Sequence, residues 1–410
     1  MNFEKFVAKR LHTEKNLQHS ISKPILKMAI AAVSLSITIM ILAIAIGKGL
    51  QEKISAKVTG FTSDIQVSVL DLNQSLEVAP LFADSTLINS LLEIEGVSQI
   101  QTHISKNALI KTDTDFEGVV IKGVDEIYNW DFIQSHIIQG NIPKYSSEKK
   151  SSEIVISKKI AQKLNLKIQD KVLFYFQGKK SNQPLIRKFT INGLYETGIE
   201  LFDNIYIIAD KKHLQKINHW TKDQCSTIEI QVQKGFNSDE VYAMVEMVSP
   251  YDTQVNSSRE LYPQIFDWIK LFDINILIIL LIMIIVASIN MISSLLIIIL
   301  ERTKMIGLMK ALGATNLSIK KIFLYHAFYL LRQGLIIGNG IGLTIIGIQY
   351  FFAPIQLDPN HYYVKALPVV LSIENWLMIN LMSIIICMCI LIIPSILIQK
   401  VEPVKAIRYE

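Results

Sequence analysis

Four long apolar stretches constrain the fold of this chain more than any other feature. They occupy residues 25–46, 272–300, 335–352 and 376–398 of the 410-residue sequence. A helix needs roughly 20 apolar residues to cross a hydrocarbon layer about 30 Å thick, and soluble domains rarely contain such runs. The sequence therefore predicts an α-helical integral membrane protein with four transmembrane helices.

The positively charged residues indicate how these helices are oriented. They cluster before the first span, in the loop at 301–321 and after the fourth span, whereas the loop between spans three and four contains only Lys365. Lys and Arg concentrate in cytoplasmic loops. We therefore predict a multi-pass protein of the cell inner membrane with cytoplasmic N and C termini. The net charge of +5 lies mainly at these membrane flanks, which argues against a nucleic-acid partner.

An amphipathic pattern opens the chain. Phe3, Phe6, Val7, Arg10 and Leu11 follow helical spacing and lie among lysines. This pattern favours a helix along the inner membrane surface, in contact with lipid. The alternative is a solvated basic segment that only fixes the topology.

A large α+β domain separates the first two spans. Strand-like and helical segments alternate between residues 49 and 270, a length that can bury a core of its own. The predicted fold class is thus four transmembrane helices plus a large extracytoplasmic α+β domain inserted between helices 1 and 2. The predicted parts are an amphipathic helix at 1–24, transmembrane helix 1 at 25–48, a two-lobed α+β domain at 49–270, transmembrane helix 2 at 271–300, a cytoplasmic segment at 301–321, transmembrane helix 3 at 322–352, an outer loop at 353–373, transmembrane helix 4 at 374–399 and a cytoplasmic tail at 400–410.

Local patterns place the elements of the α+β domain. Ser157 and Ser238 are predicted N-caps because their hydroxyls can accept a hydrogen bond from the first helical turn. The predicted strands are 64–69, 153–156, 172–176, 187–191, 205–208 and 227–232, and the predicted helices are 85–92, 158–164, 212–217 and 238–247.

A polar loop lies between two of these strands and is rich in turn-forming residues. It predicts a projecting hairpin, although an ordinary surface turn remains the alternative. The loop consists of Gln177, Gly178, Lys179, Lys180, Ser181, Asn182, Gln183 and Pro184.

The sequence contains few residues in patterns that indicate catalysis. The histidines of the α+β domain have no metal-ligand spacing with Cys or carboxylates, and Asp113 and Asp115 lack the other ligands of a calcium loop. No glycine-rich phosphate loop occurs. We therefore predict a binding or force-transmitting protein without catalytic residues, metal or cofactor of its own.

The loop at 301–321 has the pattern helix, break, helix. Gly313 is a predicted left-handed C-cap, and Thr315 is a predicted N-cap for a helix that begins at Asn316. No helix breaker separates the second span from this loop. Its apolar face, flanked by Arg302, Lys304 and Lys310, suits a groove with an acidic rim. The residues at helical spacing are Met305, Ile306, Leu308, Met309 and Leu312.

Two groups of residues indicate helix packing within the membrane. Ser288 and Asn290 lie in the second span, where polar groups need partners on a neighbouring helix or subunit. Gly334, Gly338 and Gly342 form a GxxxGxxxG face in the third span, which allows another backbone to come close.

The whole chain resembles the FtsX-like permeases of ABC transporters, and within them the membrane subunits of the lipoprotein-releasing (Lol) system. The resemblance rests on the order of spans and domain, and on the motif E-R-x-x-x-I-G-x-x-x-A-x-G-A at 301–314. The segment HYYVKALPV at 361–369 and the tail PVKAIRYE at 403–410 are also similar. This resemblance implies a MacB-like periplasmic core domain.

The resemblance also implies functions for the segments described above. The segment at 301–321 would be a coupling helix that docks on a separate cytoplasmic ABC ATPase, which would bind ATP and Mg. The second span would carry the movement outward. A second permease subunit, identical or different, would complete the membrane part. The loop at 177–184 would contact a periplasmic lipoprotein carrier, and the cargo would be a lipoprotein or another hydrophobic molecule. The implied coupling residues are Glu301, Arg302, Lys304, Met305, Ile306, Lys310, Gly313 and Thr315.

Two alternatives remain. One, from the same superfamily, is a mechanotransmitting permease of a MacB-like exporter, which usually has a fused ATPase or a longer outer domain. The other, from a different class, is an FtsX-like regulator, a structural protein that activates a cell-wall hydrolase and whose outer domain is typically much smaller than the one predicted for this chain.

Overall fold

The computed structural model describes residues 3–13, 22–71, 79–112, 115–178, 183–358 and 362–395. The predicted cytoplasmic tail at 400–410 lies outside these residues. The chain divides into two compact units, which we call the helical unit and the α/β unit. The helical unit comprises Met1–Glu52, Trp268–Leu357 and Ala366–Glu410, and the α/β unit comprises Lys53–Asp267 and Asp358–Lys365.

The helices and strands are numbered separately in chain order. The helices are α1 (Phe3–Thr13), α2 (Ser22–Thr62), α3 (Ser85–Leu92), α4 (Asp131–Ser135), α5 (Lys158–Lys163), α6 (Glu200–Asp203), α7 (Lys211–Asn218), α8 (Ser238–Val248), α9 (Ser258–Leu261), α10 (Pro263–Glu301), α11 (Thr303–Ala311), α12 (Asn316–Phe352) and α13 (Ile373–Ser395). The strands are β1 (Ile65–Val69), β2 (Leu81–Phe82), β3 (Val97–Lys111), β4 (Phe116–Val124), β5 (Ile137–Gly140), β6 (Glu153–Ser157), β7 (Lys171–Phe176), β8 (Leu185–Tyr195), β9 (Tyr206–Asp210), β10 (Gln224–Cys225), β11 (Thr227–Val232) and β12 (Thr253–Ser257).

Among the described residues, four helices are long and apolar enough to cross a membrane, namely α2, α10, α12 and α13. Two of them extend beyond the predicted spans. Helix α2 continues to Thr62 rather than ending near residue 48, and α10 begins at Pro263 rather than 271. Beyond the apolar run, α2 remains helical because Ile54, Val58 and Phe61 recur at helical spacing and are fully buried.

The helical unit has one apolar core, built from α2, α10, α11, α12 and α13. A side-chain amide pair joins α12 to α13 within this unit. Asn339 Nδ2 donates to Asn380 Oδ1 at 2.7 Å, and the Trp376 indole N–H donates to Asn339 Oδ1 at 2.6 Å. Such bonds stabilise helix pairs in lipid, where the polar groups have few other partners.

The α/β unit is built on one ten-stranded mixed sheet in the order β12-β1-β11-β3-β4-β9-β6-β8-β5, with β7 paired to both β3 and β8. Strand β3 is 15 residues long and connects two hydrophobic clusters. One cluster lies on β1 and β11 beneath α3 and α8, and the other lies on β4, β6, β7, β8 and β9 with α5 and α7. These two clusters therefore lie on a single sheet, and a further buried group surrounds the stacked rings of Phe61 and Phe202.

The predicted strands and helices of this unit are present, with small shifts at their ends. The Ser157 side chain caps α5 by accepting from Ile160 N, as predicted. The Ser238 prediction is wrong, because Asn237 caps α8 by accepting from Asp239 N. The long strands β3 and β4 were not predicted, since polar side chains such as Lys106 and Lys122 interrupt their apolar pattern although both are buried.

Candidate functional site

The first feature of the segment at 301–321 is a break after the second spanning helix. Helix α10 ends at Glu301, and Arg302 adopts φ −100° and ψ 18° before α11 begins at Thr303. The Thr303 hydroxyl donates to the Leu300 carbonyl at 2.6 Å, which satisfies a backbone acceptor at the end of α10. The expectation of an uninterrupted run from the second span is therefore wrong.

The turn between α11 and α12 is fixed at both ends. Gly313 has φ +90°, Ala314 N donates to Met309 O and Gly313 N donates to Lys310 O, which together form a Schellman motif. The Thr315 side chain then accepts from Ser318 N at 3.2 Å, and α12 begins at Asn316. Both capping predictions are confirmed.

The side of α11 that was expected to contact a partner through Met305 and Ile306 faces the core instead. Ile306 is 0% exposed and packs in the core of the helical unit with Ile319 and Phe323, while Met305 and Met309 pack against the same core. Ile306 therefore cannot contact an ATPase in this conformation, and Met305 can do so only in part. The implied coupling residues are distributed as follows: Ile306 is buried, Arg302, Met305 and Lys310 are half-buried, and Glu301, Lys304, Gly313 and Thr315 are exposed.

Three leucines form the exposed apolar surface of the segment. Leu308, Leu312 and Leu317 are 55%, 79% and 69% exposed. Lys304, Leu308 and Leu312 are spaced by four residues, so they share one side of the segment. The sequence analysis counted all the apolar residues of α11 as one face. The i, i+4 spacing of the two leucines was the signal that distinguishes the second face.

Helix α1 packs along α12 through its fully buried Ala8. The Ser318 hydroxyl donates to Glu4 Oε1 at 2.8 Å, and Lys5 Nζ lies 5.5 Å from the centre of the Tyr325 ring. Phe3 and Phe6, which belong to the predicted amphipathic stripe, are exposed.

The glycine face of the third span contacts the first span. A Cβ atom at Gly338 would lie 2.6 Å from the Ser34 carbonyl oxygen, and one at Gly334 would lie 2.6 Å from Val33 Cγ1. The Thr38 hydroxyl donates to the Gly338 carbonyl at 3.0 Å. These two glycines therefore allow α12 to approach the α2 backbone closely.

The other three packing residues make looser or local contacts. A Cβ atom at Gly342 would make only ordinary contacts, of 3.4 Å or more, with Ile41. Ser288 is buried, and its Oγ lies 3.9 Å from Cys387 Sγ on α13. Asn290 is half-buried and donates to Val286 O of its own helix at 2.9 Å.

Strands β7 and β8 pair antiparallel from Lys171↔Thr190 to Phe176↔Leu185, so they form the predicted hairpin. Gln177, Gly178, Gln183 and Pro184 lie at its described end, and Lys179, Lys180, Ser181 and Asn182 lie outside the described residues.

The outer side of this part of the sheet combines apolar and basic side chains. Lys111 pairs with Phe116 on β4 and with Leu173 on β7, and Leu173 pairs with Lys188 on β8. Paired residues share one side of a sheet. Phe116 is 73% exposed, and Leu173 and Ile186 are also exposed. We call this surface the β7–β8 face.

A buried ion pair in the α/β unit escaped the sequence analysis. Lys122 Nζ lies 2.7 Å from Glu229 Oε1 and donates to the Phe61 carbonyl at 2.8 Å. His103 lies beside the pair, with Nδ1 3.4 Å from Glu229 Oε1, and borders a cavity of about 230 Å³. Burial lowers the pKa of His103 to about 4. Within the described ranges, no group of three or more His, Cys, Asp or Glu side chains could hold a metal ion.

Two families match the chain over different parts. The MacB-like periplasmic core domain matches residues 28–248, and the FtsX-like permease C-terminal region matches residues 277–403. Together they cover most of the α/β unit and most of the last three spanning helices.

Similar curated proteins extend over most of the chain. The lipoprotein-releasing system transmembrane protein LolC of Neisseria meningitidis is 20% identical over 90% of this chain and 92% of its own length. The corresponding LolE of Haemophilus influenzae is 22% identical over 77% of each chain. Among solved structures, the periplasmic region of MacB from Actinobacillus actinomycetemcomitans matches 52% of this chain and 97% of its own, with 11% identity and a TM-score of 0.35.

Proposed function

The chain belongs to the FtsX-like ABC transporter permeases with a MacB-like periplasmic core domain, and from this premise we propose that it extracts lipoproteins from the inner membrane. It is a multi-pass inner-membrane permease. A separate cytoplasmic ATPase would supply the energy, and a periplasmic carrier would receive the lipoprotein. The names of the LolC and LolE relatives, and their coverage of 90% and 77% of this chain, support this cargo over a MacB-like exporter or a hydrolase regulator.

The exposed leucine surface of the segment at 301–321 is the observation that carries the ATPase contact. Leu308, Leu312 and Leu317 expose large apolar side chains, whereas Ile306 is buried and Met305 and Met309 are half-buried. The exposed ammonium groups of Lys304 and Lys321 lie on the same segment. An apolar surface with basic neighbours fits a groove with an acidic rim. We assign the docking contacts to these leucines instead of Met305 and Ile306.

The docking contact can be tested by co-purification. Leu308→Asp combined with Leu312→Asp should release the ATPase from the purified permease, because two desolvated carboxylates would face the groove. The control is Ile127→Asp on the α/β unit, which introduces one carboxylate at an exposed apolar position. Undiminished co-purification of the double variant, with the permease at normal abundance, would contradict the assignment.

A second permease subunit is proposed to cover part of α10. Asn290 and Ser293 lie in the inner half of this helix, where Ser293 is exposed and Asn290 is half-buried. Each donates one hydrogen bond within the helix, Asn290 to Val286 O and Ser293 to Ile289 O. Polar side chains that face lipid cost free energy, so a neighbouring subunit is the better environment. In a variant without the native cysteines, Ser293→Cys should form a cross-link between permease subunits, whereas exclusive labelling by lipid-phase thiol reagents would contradict this.

The carrier contact is proposed for the hairpin end at 177–184 together with the β7–β8 face. Phe116, Leu173 and Ile186 supply exposed apolar area, and Lys111 and Lys188 lie between them in the sheet. Deletion of 179–183 should abolish carrier cross-linking while ATPase binding remains, because the hairpin lies in the α/β unit and not in the segment at 301–321. Persistent cross-linking would leave the loop as an ordinary surface turn.

Cargo release separates the proposed function from its alternatives. The complete complex in liposomes that contain a labelled lipoprotein should transfer it to a soluble carrier only with ATP. Release of a macrolide or peptide instead would support the MacB-like exporter, and activation of a cell-wall hydrolase would support the FtsX-like regulator. The predicted cytoplasmic N and C termini can be checked with terminal reporter fusions.

A further inference from the structure

Helix α8 of the α/β unit is apolar on two sides. Val241 and Val245 are buried on the sheet, and the Tyr242 hydroxyl donates to Val255 O at 3.2 Å, which holds the helix on β12. Met244 and Met247 lie on the other side, where Met247 is 85% exposed. The polar positions of α8 include the acidic residues Asp239, Glu240 and Glu246, so the exposed methionines lie among acidic side chains.

The exposed side continues past the end of the helix. Val248 is exposed, and Tyr251, in the turn between α8 and β12, is fully exposed. The turn itself is ordered by hydrogen bonds from Thr253 N and Thr253 Oγ1 to Pro250 O. We call the surface formed by Met244, Met247, Val248 and Tyr251 the α8 face. Large exposed apolar residues that cluster in this way mark interaction sites more often than scattered single ones do.

The residues of the α8 face lie in an acidic stretch of the chain. Between residues 235 and 258 the sequence has four acidic residues and no Lys, Arg or His, although the whole chain has a net charge of +5. Arg259 Nη1 lies 3.4 Å from Asp239 Oδ1, at one end of the stretch. Glu240, Glu246 and Asp252 supply the remaining negative charge. The exposed apolar residues therefore lie in an acidic stretch of the chain.

This charge selects among the possible occupants. An anionic membrane surface attracts basic segments and repels acidic ones. A second copy that presented its own α8 face would bring the same acidic residues against these, and like charges across an interface are unfavourable. The β7–β8 face, in contrast, places Lys111 and Lys188 among its apolar residues, so it suits a partner of the opposite charge.

We propose that the α8 face binds a protein partner that presents apolar side chains surrounded by Lys and Arg, different from the partner of the β7–β8 face. Methionine side chains adapt to irregular surfaces, and an exposed tyrosine supplies a large contact area with one hydroxyl for hydrogen bonding. Charge complementarity would set the orientation and the rate of association. The proposal does not depend on the cargo of the permease.

The test uses the full chain in cells, with a photo-reactive benzoyl-phenylalanine at position 247 or 251 and, as the control, at position 127. Ile127 is an exposed apolar residue of the same unit outside the α8 face. We expect a discrete protein adduct at 247 and 251 but not at 127. Glu246→Lys combined with Asp252→Lys should lower the adduct yield by about tenfold, because it removes the electrostatic attraction.

Mass spectrometry of the adduct identifies the captured segment, and the proposal requires apolar residues flanked by Lys or Arg in it. That segment, synthesised as a peptide, should bind the purified full chain with a Kd that Met247→Asp raises about tenfold, as expected for loss of a central contact, and that Ile127→Asp leaves unchanged. The proposal is overturned by an adduct between two copies of this chain, by adducts with lipid alone, by equal yields at 127, or by a yield that the charge reversal does not change.

Discussion

A buried histidine should make the α/β unit unstable in acid. His103 is 6% exposed, and its Nε2 lies 3.1 Å from Ser105 Oγ. Burial disfavours the protonated ring and lowers the pKa of His103 from 6.5 to about 4, although Glu229 acts in the opposite direction. Lys122, which is already paired with Glu229, adds to the lowering. The ring is therefore neutral in the folded protein at neutral pH.

The direction and size of the effect follow from proton linkage. Because the folded pKa is lower than the unfolded one, the unfolded chain binds a proton first as the pH falls. The stability that His103 contributes is complete above pH 6.5 and is lost as the pH falls through 4. The difference between 6.5 and about 4 corresponds to about 3.4 kcal/mol, of which about 2.5 kcal/mol is lost by pH 4.5.

The effect can be measured by chemical denaturation of the full chain in detergent, followed by tryptophan fluorescence at pH 7 and pH 4.5. Wild type and His103→Gln, which cannot titrate, are compared at both values. The pH-dependent loss in the free energy of unfolding should be about 2.5 kcal/mol smaller in the variant. This difference removes the contribution of other titrating groups. Equal pH dependence in the two proteins would refute the reasoning.

Three further predictions concern packing and buried polar groups. Gly338→Leu should lower the thermal unfolding midpoint, because overpacking costs about 1–3 kcal/mol of stability. The control Gly340→Leu should not lower it, since a Cβ atom at Gly340 meets no atom within 4 Å. Equal midpoints for the two variants would place the Gly338 surface in lipid. Glu229→Gln should lower the free energy of unfolding, measured by chemical denaturation, by about 3–5 kcal/mol, because it leaves the Lys122 ammonium buried without its charge partner. Adding Lys122→Met should recover part of this loss. No recovery would contradict the ion-pair interpretation. Asn339→Leu should destabilise the helical unit by about 1 kcal/mol through loss of the amide pair with α13, measured by thermal unfolding, and an unchanged midpoint would show that the pair contributes nothing.

Local signals in the sequence were sufficient to predict much of the backbone structure of the segment at 301–321. Gly313 and Thr315 act through their own backbone and side-chain atoms, so the turn and the start of α12 could be predicted. Which side of α11 is buried depends on neighbouring helices that are distant in sequence. Ile306 and Leu308 are equally apolar, and only the core formed with Ile319 buries the first and leaves the second exposed.

The difference between local signals and contacts distant in sequence also explains the strands that were not predicted in the α/β unit. Apolar alternation predicted the strands that bury one side in a hydrophobic cluster, but β3 and β4 also bury charged groups such as Lys122. A lysine in a strand pattern indicates solvent unless its partner is known, and Glu229 lies 107 positions away. Asn237 and Ser238 are both good N-caps, and the sequence did not distinguish two adjacent candidates.

The way in which the two ends of α11 are joined to their neighbours has a mechanical consequence. The end toward α12 is a sharp turn closed by a Schellman motif and an N-cap. At the end toward α10, backbone hydrogen bonds continue across Arg302, from Arg302 N to Ile298 O at 3.1 Å and from Ile306 N to Arg302 O at 2.9 Å. Neither junction is therefore a free hinge, and we expect α11 to move together with both of the helices that it joins.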